Sequence, residues 1–469
     1  MVGFTKSMFS FSWALSLFGV QQLANILTPA PPRRTAGKAA TAFNCVARAT
    51  EEQLGGLLKG IFHISDLVQR GAVDLSFQFL TRDAFDPTTA LRMTNALMQQ
   101  SLGAFQFLLS GQDLSLAWQE FKDKVQVFDW VRDVDSLLNL SCGPSASLGE
   151  LVDRAYALGD FPALWAVEGL GHYYADTFWE RGEPARNLLT DEKASHLPDN
   201  SLTMLHAGIG LSFAQHLFDN VTSRTPGPEI RNLLQRFISL CQENAQPGYV
   251  GAAYESLGLV VRIFHAQNVR LVDEQLAQLD PELLGYFWHG VGRAIYFSPT
   301  YFLPIGPSPW RAVEMCCGEA PHELAQLNTL AGLAWAVTLV NMRQPKVLEA
   351  VLKSHGAELA ATGAFANGFS SSAIMRYDTT PDAPFITKFC KHQPGASDPA
   401  LVQLWNSQVT EPCQAALKDY YPVLQATRSL GELFRYQSLS DLVARLKGQN
   451  HGGRPPPRVS EARPQRAPR

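Results

Sequence analysis

The sequence predicts an all-α protein in two parts, an N-terminal helical bundle built on a long αα-hairpin and a duplicated α-helical domain. Apolar residues form a heptad seam in the first part, helical periodicity continues through the second, and short glycine-bearing motifs recur there. We expect the bundle to span 41–141 and the duplicated domain to span 148–445.

Composition limits the class of partner and the compartment. The 469 residues suffice for two to three domains, and the formal net charge of −4 argues against a polyanion binder, so we expect no nucleic-acid partner. Charged residues make up 17% of the chain and hydrophobic residues 46%, which indicates a sparsely charged surface. Seven cysteines without a Cys-x-x-Cys pair are typical of reduced thiols, and we expect a cytoplasmic protein.

The two ends of the chain differ from its body. Residues 1–29 predict a docking helix, because 8–27 are apolar and aromatic and carry no charge, yet are interrupted by polar residues, unlike a membrane span. This helix would lie either at a membrane headgroup boundary, as a peripheral contact, or in a groove of the protein itself. Residues 30–40 follow as a linker, and the basic, proline-rich segment 450–469 predicts a disordered tail.

The predicted bundle contains at least three helices. The first carries the heptad seam, Asp86-Pro87 opens the second with a capping residue, and apolar residues mark the third at Trp118, Phe121, Val125, Phe128 and Val131. The runs 50–56 and 68–71 resemble the phasins that coat polyester granules. That resemblance implies a lipid- or granule-surface coating protein, which is one alternative for the function.

Two short motifs alternate along the second part of the chain. The first carries a glutamate and recurs at 166–171, at 253–258 and more faintly at 312–317. The second carries glycine and recurs at 206–210, 288–292, 330–334 and 366–370. A dinucleotide fingerprint would need a preceding strand and a third glycine, so we interpret these glycines as points where helix backbones approach closely. The alternation predicts an internal duplication.

The same motifs supply candidate metal ligands. Glu168 and His172 are four residues apart and share one face of a helix, a geometry in which a carboxylate and an imidazole can reach one ion. With His206, Glu255 and His289 they form a candidate site for iron or another divalent metal. The alternative is that the glutamates hydrogen-bond to neighbouring helix ends and the histidines satisfy buried polar groups. Under that alternative the protein has no cofactor.

Candidate ligand-binding residues follow the second copy of each motif. Arg262 and Arg293 would bind an anionic ligand or neutralise Glu255 and its neighbours. The segment 297–310 is aromatic, stiffened by prolines and free of charge, which predicts either the rim of a hydrophobic pocket or a buried loop. Its candidate contact residues are Phe297, Tyr301, Phe302 and Trp310. The nucleophile-elbow and P-loop signatures are absent from the sequence, so whether the protein is an enzyme stays open.

Residues from about 160 to 340 resemble the bacterial family known as domain of unknown function 1702, which is encoded in enediyne polyketide biosynthesis clusters. The resemblance lies in Glu-Gly-x-Gly at 168–171, His-x-Gly-x-Gly at 206–210 and Gly-Val-Gly-Arg-Ala-Ile-Tyr-Phe at 290–297. It implies a bacterial protein tied to the processing of a long, apolar, polyene-like product. It supplies no catalytic residues.

Three functions are therefore expected as alternatives. The leading one is an accessory protein that binds a hydrophobic small molecule or a protein partner. The second is a metal-dependent, oxidase-like enzyme that uses the glutamates and histidines of the repeated helices. The third is a coating protein that contacts a lipid or granule surface through residues 8–27.

Overall fold

The described residues are helical and contain no strand, which confirms the all-α prediction for them. The computed structural model describes residues 114–132, 134–138, 146–182, 185–190, 196–297 and 308–452. The predicted docking helix at 1–29, the linker at 30–40 and most of the bundle at 41–141 lie outside these residues. So does the tail from 453 onwards, whereas residues 450–452, predicted as part of it, end the last helix.

The helices are numbered in chain order. They are α1 Leu114–Arg132, α2 Val134–Leu137, α3 Leu148–Ala157, α4 Asp160–Glu180, α5 Asp199–Phe218, α6 Gly227–Asn244, α7 Val250–Phe264, α8 Val269–Leu279, α9 Leu283–Phe297, α10 Ser308–Glu319, α11 Glu323–Asn341, α12 Lys346–Ala360, α13 Ala364–Thr379, α14 Pro384–Cys390, α15 Pro399–Trp405, α16 Glu411–Ala415, α17 Tyr421–Ala426 and α18 Leu439–Gly452. Single π-helical turns lie at Asn406–Thr410 and Ala416–Tyr420, and short 3₁₀ turns at Ala266–Asn268 and Leu430–Phe434.

Six helices, α4, α5, α7, α9, α11 and α13, form an inner layer. Each is buried on all sides over much of its length, and every residue of α9 is buried, as expected for helices surrounded by other helices. Each packs along the next one in the chain, and α13 returns to contact α4 and α5. The inner helices therefore form a closed row, which we call the ring.

The helices α6, α8, α10 and α12 lie between successive inner helices in the chain and form an outer layer. They are amphipathic: α6 buries Ile230, Leu234, Phe237 and Cys241, a spacing of three and four residues that places one apolar stripe against the ring. Neighbouring outer helices also contact one another, α6 with α8 and α10 with α12. The alternation of fully buried and amphipathic helices produces the two layers.

Glycines bring the inner helices into backbone contact. A Cβ atom at Gly258 would collide with the Phe287 carbonyl oxygen, and one at Gly290 would collide with the Glu255 carbonyl oxygen. Gly332 and Gly368 meet the neighbouring backbone in the same way. The interpretation of the repeated glycines as points of close helix approach is confirmed.

The three copies of the glutamate motif are not equivalent. Glu168 and Glu255 are buried, whereas Glu314, at the corresponding place in the faint third copy, is exposed. The internal duplication stays a prediction.

Helix α1 packs against the ring. It is the helix predicted as the third of the bundle, and it contacts α4, α11 and α12. The buried Glu120 carboxylate accepts hydrogen bonds from Lys124 and, at 2.7 Å, from the Tyr296 hydroxyl at the end of α9. Residues 114–132, assigned by sequence to a separate bundle, thus share their buried contacts with the second part of the chain. Among the described helices, none combines the length and the apolar character needed to cross a bilayer.

Candidate functional site

Four residues singled out in the sequence meet inside the ring. Arg293 on α9 donates through Nη2 to Oε1 of Glu168 on α4, and through Nη1 to Oε2 of Glu255 on α7 at 3.2 Å. His289, one turn before Arg293, lies 3.2 Å through Nδ1 from Oε1 of Glu255. We call these four residues the interior cluster.

The interior cluster crosses the ring. Helices α4 and α9 are separated by α5 and α7 along the row, so the ion pair between Glu168 and Arg293 spans the interior. No side chain of the cluster is more than 3% exposed. Buried charges are tolerated when they are paired and hydrogen-bonded, and Arg293 meets both carboxylates at once.

Burial and the neighbouring charges set the titration of the cluster. Burial raises the pKa of Glu168, and the charge of Glu255 adds to that effect, while Arg293 opposes it. Burial disfavours the charged form of Arg293, but the charges of Glu168 and Glu255 outweigh it and raise the pKa of that guanidinium. One guanidinium therefore balances two carboxylates in a region withdrawn from water.

Aromatic rings lie against the interior cluster. The guanidinium of Arg293 lies 5.0 Å from the centre of the Trp335 ring on α11, a cation–π contact. His289 meets Trp335 and Phe434 edge to face, with ring centres 6.0 Å and 6.4 Å apart. Trp165, one turn before Glu168 on α4, meets Phe297 with ring centres 6.3 Å apart.

Several polar atoms of this region have no hydrogen-bonding partner among the described residues. They are Oε2 of Glu168, Nε of Arg293 and the indole nitrogens of Trp165 and Trp335, all buried. Buried polar atoms are almost always paired in folded proteins, so each unpaired one requires an explanation. Two of them, Oε2 of Glu168 and Nε of Arg293, belong to side chains that are bonded to one another, and they indicate a site with unused hydrogen-bonding capacity.

His206 lies away from the interior cluster and has a structural role. Its Nδ1 lies 2.6 Å from the Leu202 carbonyl oxygen, and its Nε2 accepts the backbone N–H of Gln246 at 3.0 Å. Burial lowers the pKa of His206 to about 4, so its imidazole is neutral, and the imidazole stacks on Tyr249. For His206 the interpretation that histidines satisfy buried polar groups is confirmed.

The remaining candidate metal ligands do not gather into one set. His172 lies 2.8 Å from Gln215 and 3.3 Å from Asp176 near the edge of the ring, whereas Glu255 and His289 meet in the interior cluster. Within the described residues, no three His, Cys, Asp or Glu side chains are placed to hold one metal ion.

The candidate ligand-binding residues also separate. Arg262 does not join Arg293 but forms a two-bond pair with Glu319, at 2.7 Å for each bond. Phe297 is buried against Trp165 and Phe128, and so belongs to the packed end of α9. The side chains of Tyr301, Phe302 and Trp310 lie outside the described part of the structure.

Arg376 on α13 is not among the residues that the sequence patterns indicate. This fully buried guanidinium donates to the carbonyl oxygens of Phe161 on α4, at 2.9 Å, and Leu339 on α11, at 3.2 Å. It also lies 4.3 Å from the centre of the Phe161 ring. Burial lowers its pKa to about 9, and the charge of Arg343 adds to the effect. Arg376 joins the last inner helix to the first, and no local sequence signal distinguishes it from a surface arginine.

Asp378 predicts a pH dependence of stability. It is 3% exposed, it accepts the Tyr421 hydroxyl at 3.1 Å, and burial raises its pKa to about 7. The folded state therefore binds a proton that the unfolded state releases near pH 4, and stability falls as pH rises between these values, by up to about 1.4 kcal/mol per pH unit. We expect Asp378→Asn to be more stable than the native chain at pH 8 and to lose this component of the slope.

Urea unfolding of both proteins at pH 5 and pH 8 checks this prediction. The difference in unfolding free energy between the variant and the native chain should be larger at pH 8. An equal difference at both pH values would show that Asp378 is ionised in the folded protein at both.

Comparisons with protein-family models, curated proteins and solved structures gave no match for this chain. The class that the fold and the site define is a two-layer helical ring with a buried ionic centre and an aromatic interior.

Proposed function

We propose that the chain is an accessory protein that binds a hydrophobic small molecule inside the ring. The observation that carries the proposal is the pairing of an aromatic interior with one compact polar centre. Small-molecule sites are lined mainly by apolar and aromatic side chains and contain a few fixed polar groups that orient the ligand. Trp335 and Phe434 supply the aromatic surface, since both rings contact the interior cluster, which supplies the polar groups.

The sequence adds context to this proposal. The resemblance of residues 160–340 to the domain of unknown function 1702 family suggests a role in bacterial polyketide or polyene metabolism. Of the partners expected from the sequence, a small molecule is favoured over a protein because the aromatic side chains lie within the ring. The coating alternative depends on residues 8–27, which lie outside the described residues, and it stays a prediction.

Titration with diphenylhexatriene tests the proposal, since the fluorescence of this apolar polyene rises when it leaves water. We expect saturable binding to the full chain at one site. Trp335→Phe should weaken this binding several-fold, because the indole of Trp335 contacts Arg293 and His289 of the interior cluster. The matched control is Trp405→Phe, since Trp405 is equally buried but contacts Phe389 and His392 on α14 and after it.

Two results would overturn the proposed function. The first is an absence of saturable binding by the native chain. The second is equal weakening by Trp335→Phe and Trp405→Phe, since that would place the probe elsewhere or reflect a general loss of packing. Melting temperatures of both variants identify the second case.

A further inference from the structure

The open polar atoms of the interior cluster belong to two side chains, Arg293 and Glu168, that are already bonded to one another. Nε and Nη2 point to the same side of a guanidinium, as Arg262 shows by holding both oxygens of Glu319 through these two nitrogens. Arg293 uses Nη2 for one oxygen of Glu168, while its Nε and the second oxygen of Glu168 have no partner. The side of Arg293 that holds Glu168 therefore carries an open donor, and the carboxylate bonded to that side carries an open acceptor.

We propose that this donor and acceptor bind the hydroxyl group of an uncharged, apolar alcohol. A hydroxyl oxygen accepts the Nε–H of Arg293, and its hydrogen is donated to Oε2 of Glu168, so one group satisfies both atoms. This inference rests on the proposed function and names the ligand class for the same site.

Other oxygen-bearing groups fit less well. A ligand carboxylate would bring a third negative charge to a buried centre that already holds Glu168 and Glu255 against one guanidinium, and desolvated like charges repel strongly. A ketone or ester oxygen accepts from Arg293 but leaves Oε2 of Glu168 without a donor. A buried acceptor left unpaired weakens binding, which favours the alcohol.

Three related probes test the ligand class: retinol, retinyl acetate and retinoic acid, titrated against the full chain at pH 8. These differ at the terminal oxygen group and share the same apolar polyene. We expect the dissociation constant of retinol to be about tenfold lower than that of the acetate, and lower still than that of the acid. This comparison uses the native chain and does not depend on the folding of a variant.

A variant of Glu168 tests whether this carboxylate causes the preference for retinol. Glu168→Ala should raise the dissociation constant of retinol about tenfold and leave that of diphenylhexatriene unchanged. The matched control is Glu319→Ala, which removes the carboxylate from the pair with Arg262 and should leave retinol binding unchanged.

The outcomes separate the two proposals. If no apolar probe binds, the proposed function and this inference both fall. If diphenylhexatriene binds but retinol has no advantage over its acetate, only the alcohol assignment falls, and Arg293 and Glu168 are then a closed pair that takes no ligand group. If Glu168→Ala weakened the binding of retinol and the binding of diphenylhexatriene equally, the alcohol assignment would also be overturned.

Discussion

Replacing Arg293 by methionine is expected to destabilise the protein by about 3–5 kcal/mol. The substitution removes the guanidinium that pairs with both Glu168 and Glu255 and leaves two carboxylates buried without their cation. Its cost lies in the charges left behind rather than in the lost attraction itself. Urea unfolding at pH 8 measures it, and the deficit should shrink at pH 5, because carboxylates without a cation take up protons more readily.

Two comparisons make this prediction specific. Arg186→Met removes an exposed arginine that lies 3.9 Å from Glu243, and it should cost less than about 1 kcal/mol. Adding Glu168→Gln to Arg293→Met should restore part of the loss, because one of the two stranded charges is gone. If Arg293→Met costs no more than Arg186→Met, the interior cluster does not form as described.

Substitution of Gly258 by alanine is expected to cost about 3 kcal/mol. The added methyl group would collide with the Phe287 carbonyl oxygen, which belongs to the backbone of α9 and cannot turn aside as a side chain could. Helices α7 and α9 would have to separate, and the separation would pull Glu255 away from Arg293. Thermal and urea unfolding measure the loss.

Gly318→Ala is the matched control. This glycine lies in the last turn of α10 and is exposed, and a methyl group added to it would meet no atom within 4 Å beyond its own helix. Alanine should therefore stabilise the protein by up to about 1 kcal/mol through its higher helix propensity. Equal effects of Gly258→Ala and Gly318→Ala would contradict the close contact between α7 and α9.

The helix contacts could be predicted from the sequence because their cause is local. Gly208 and Gly290 recur in apolar helices, where glycine is otherwise unfavourable, and that cost indicates a compensating close approach. The motif pattern also identified Glu168, Glu255 and His289 as candidate metal ligands, and Arg293 as a residue that binds an anion or neutralises Glu255. It did not give their chemistry, because a metal site and an ion-pair cluster both require acidic and basic side chains on helices.

The pairing of Arg293 with Glu255 was one of the alternatives drawn from the sequence, but its pairing with Glu168 could not be predicted, for a physical reason. Glu168 and Arg293 are 125 residues apart, and they meet only when the row of inner helices closes into a ring. The same holds for Arg376, whose acceptors are carbonyl oxygens of α4 and α11 rather than side chains. His206 resembled a metal ligand in sequence, since nothing local shows that the N–H of Gln246 occupies its second nitrogen.

The side-chain ¹⁵N–H resonance of Arg293 provides the most direct test of a ligand site inside the ring. The Nε–H signal, assigned by its loss in Arg293→Lys, is recorded on the labelled full chain with retinol and with diphenylhexatriene. We predict that retinol shifts this signal and slows its exchange with solvent deuterium, while diphenylhexatriene leaves it in place. A signal that does not move when retinol is bound would contradict the account, because the ligand hydroxyl would then lie away from Arg293.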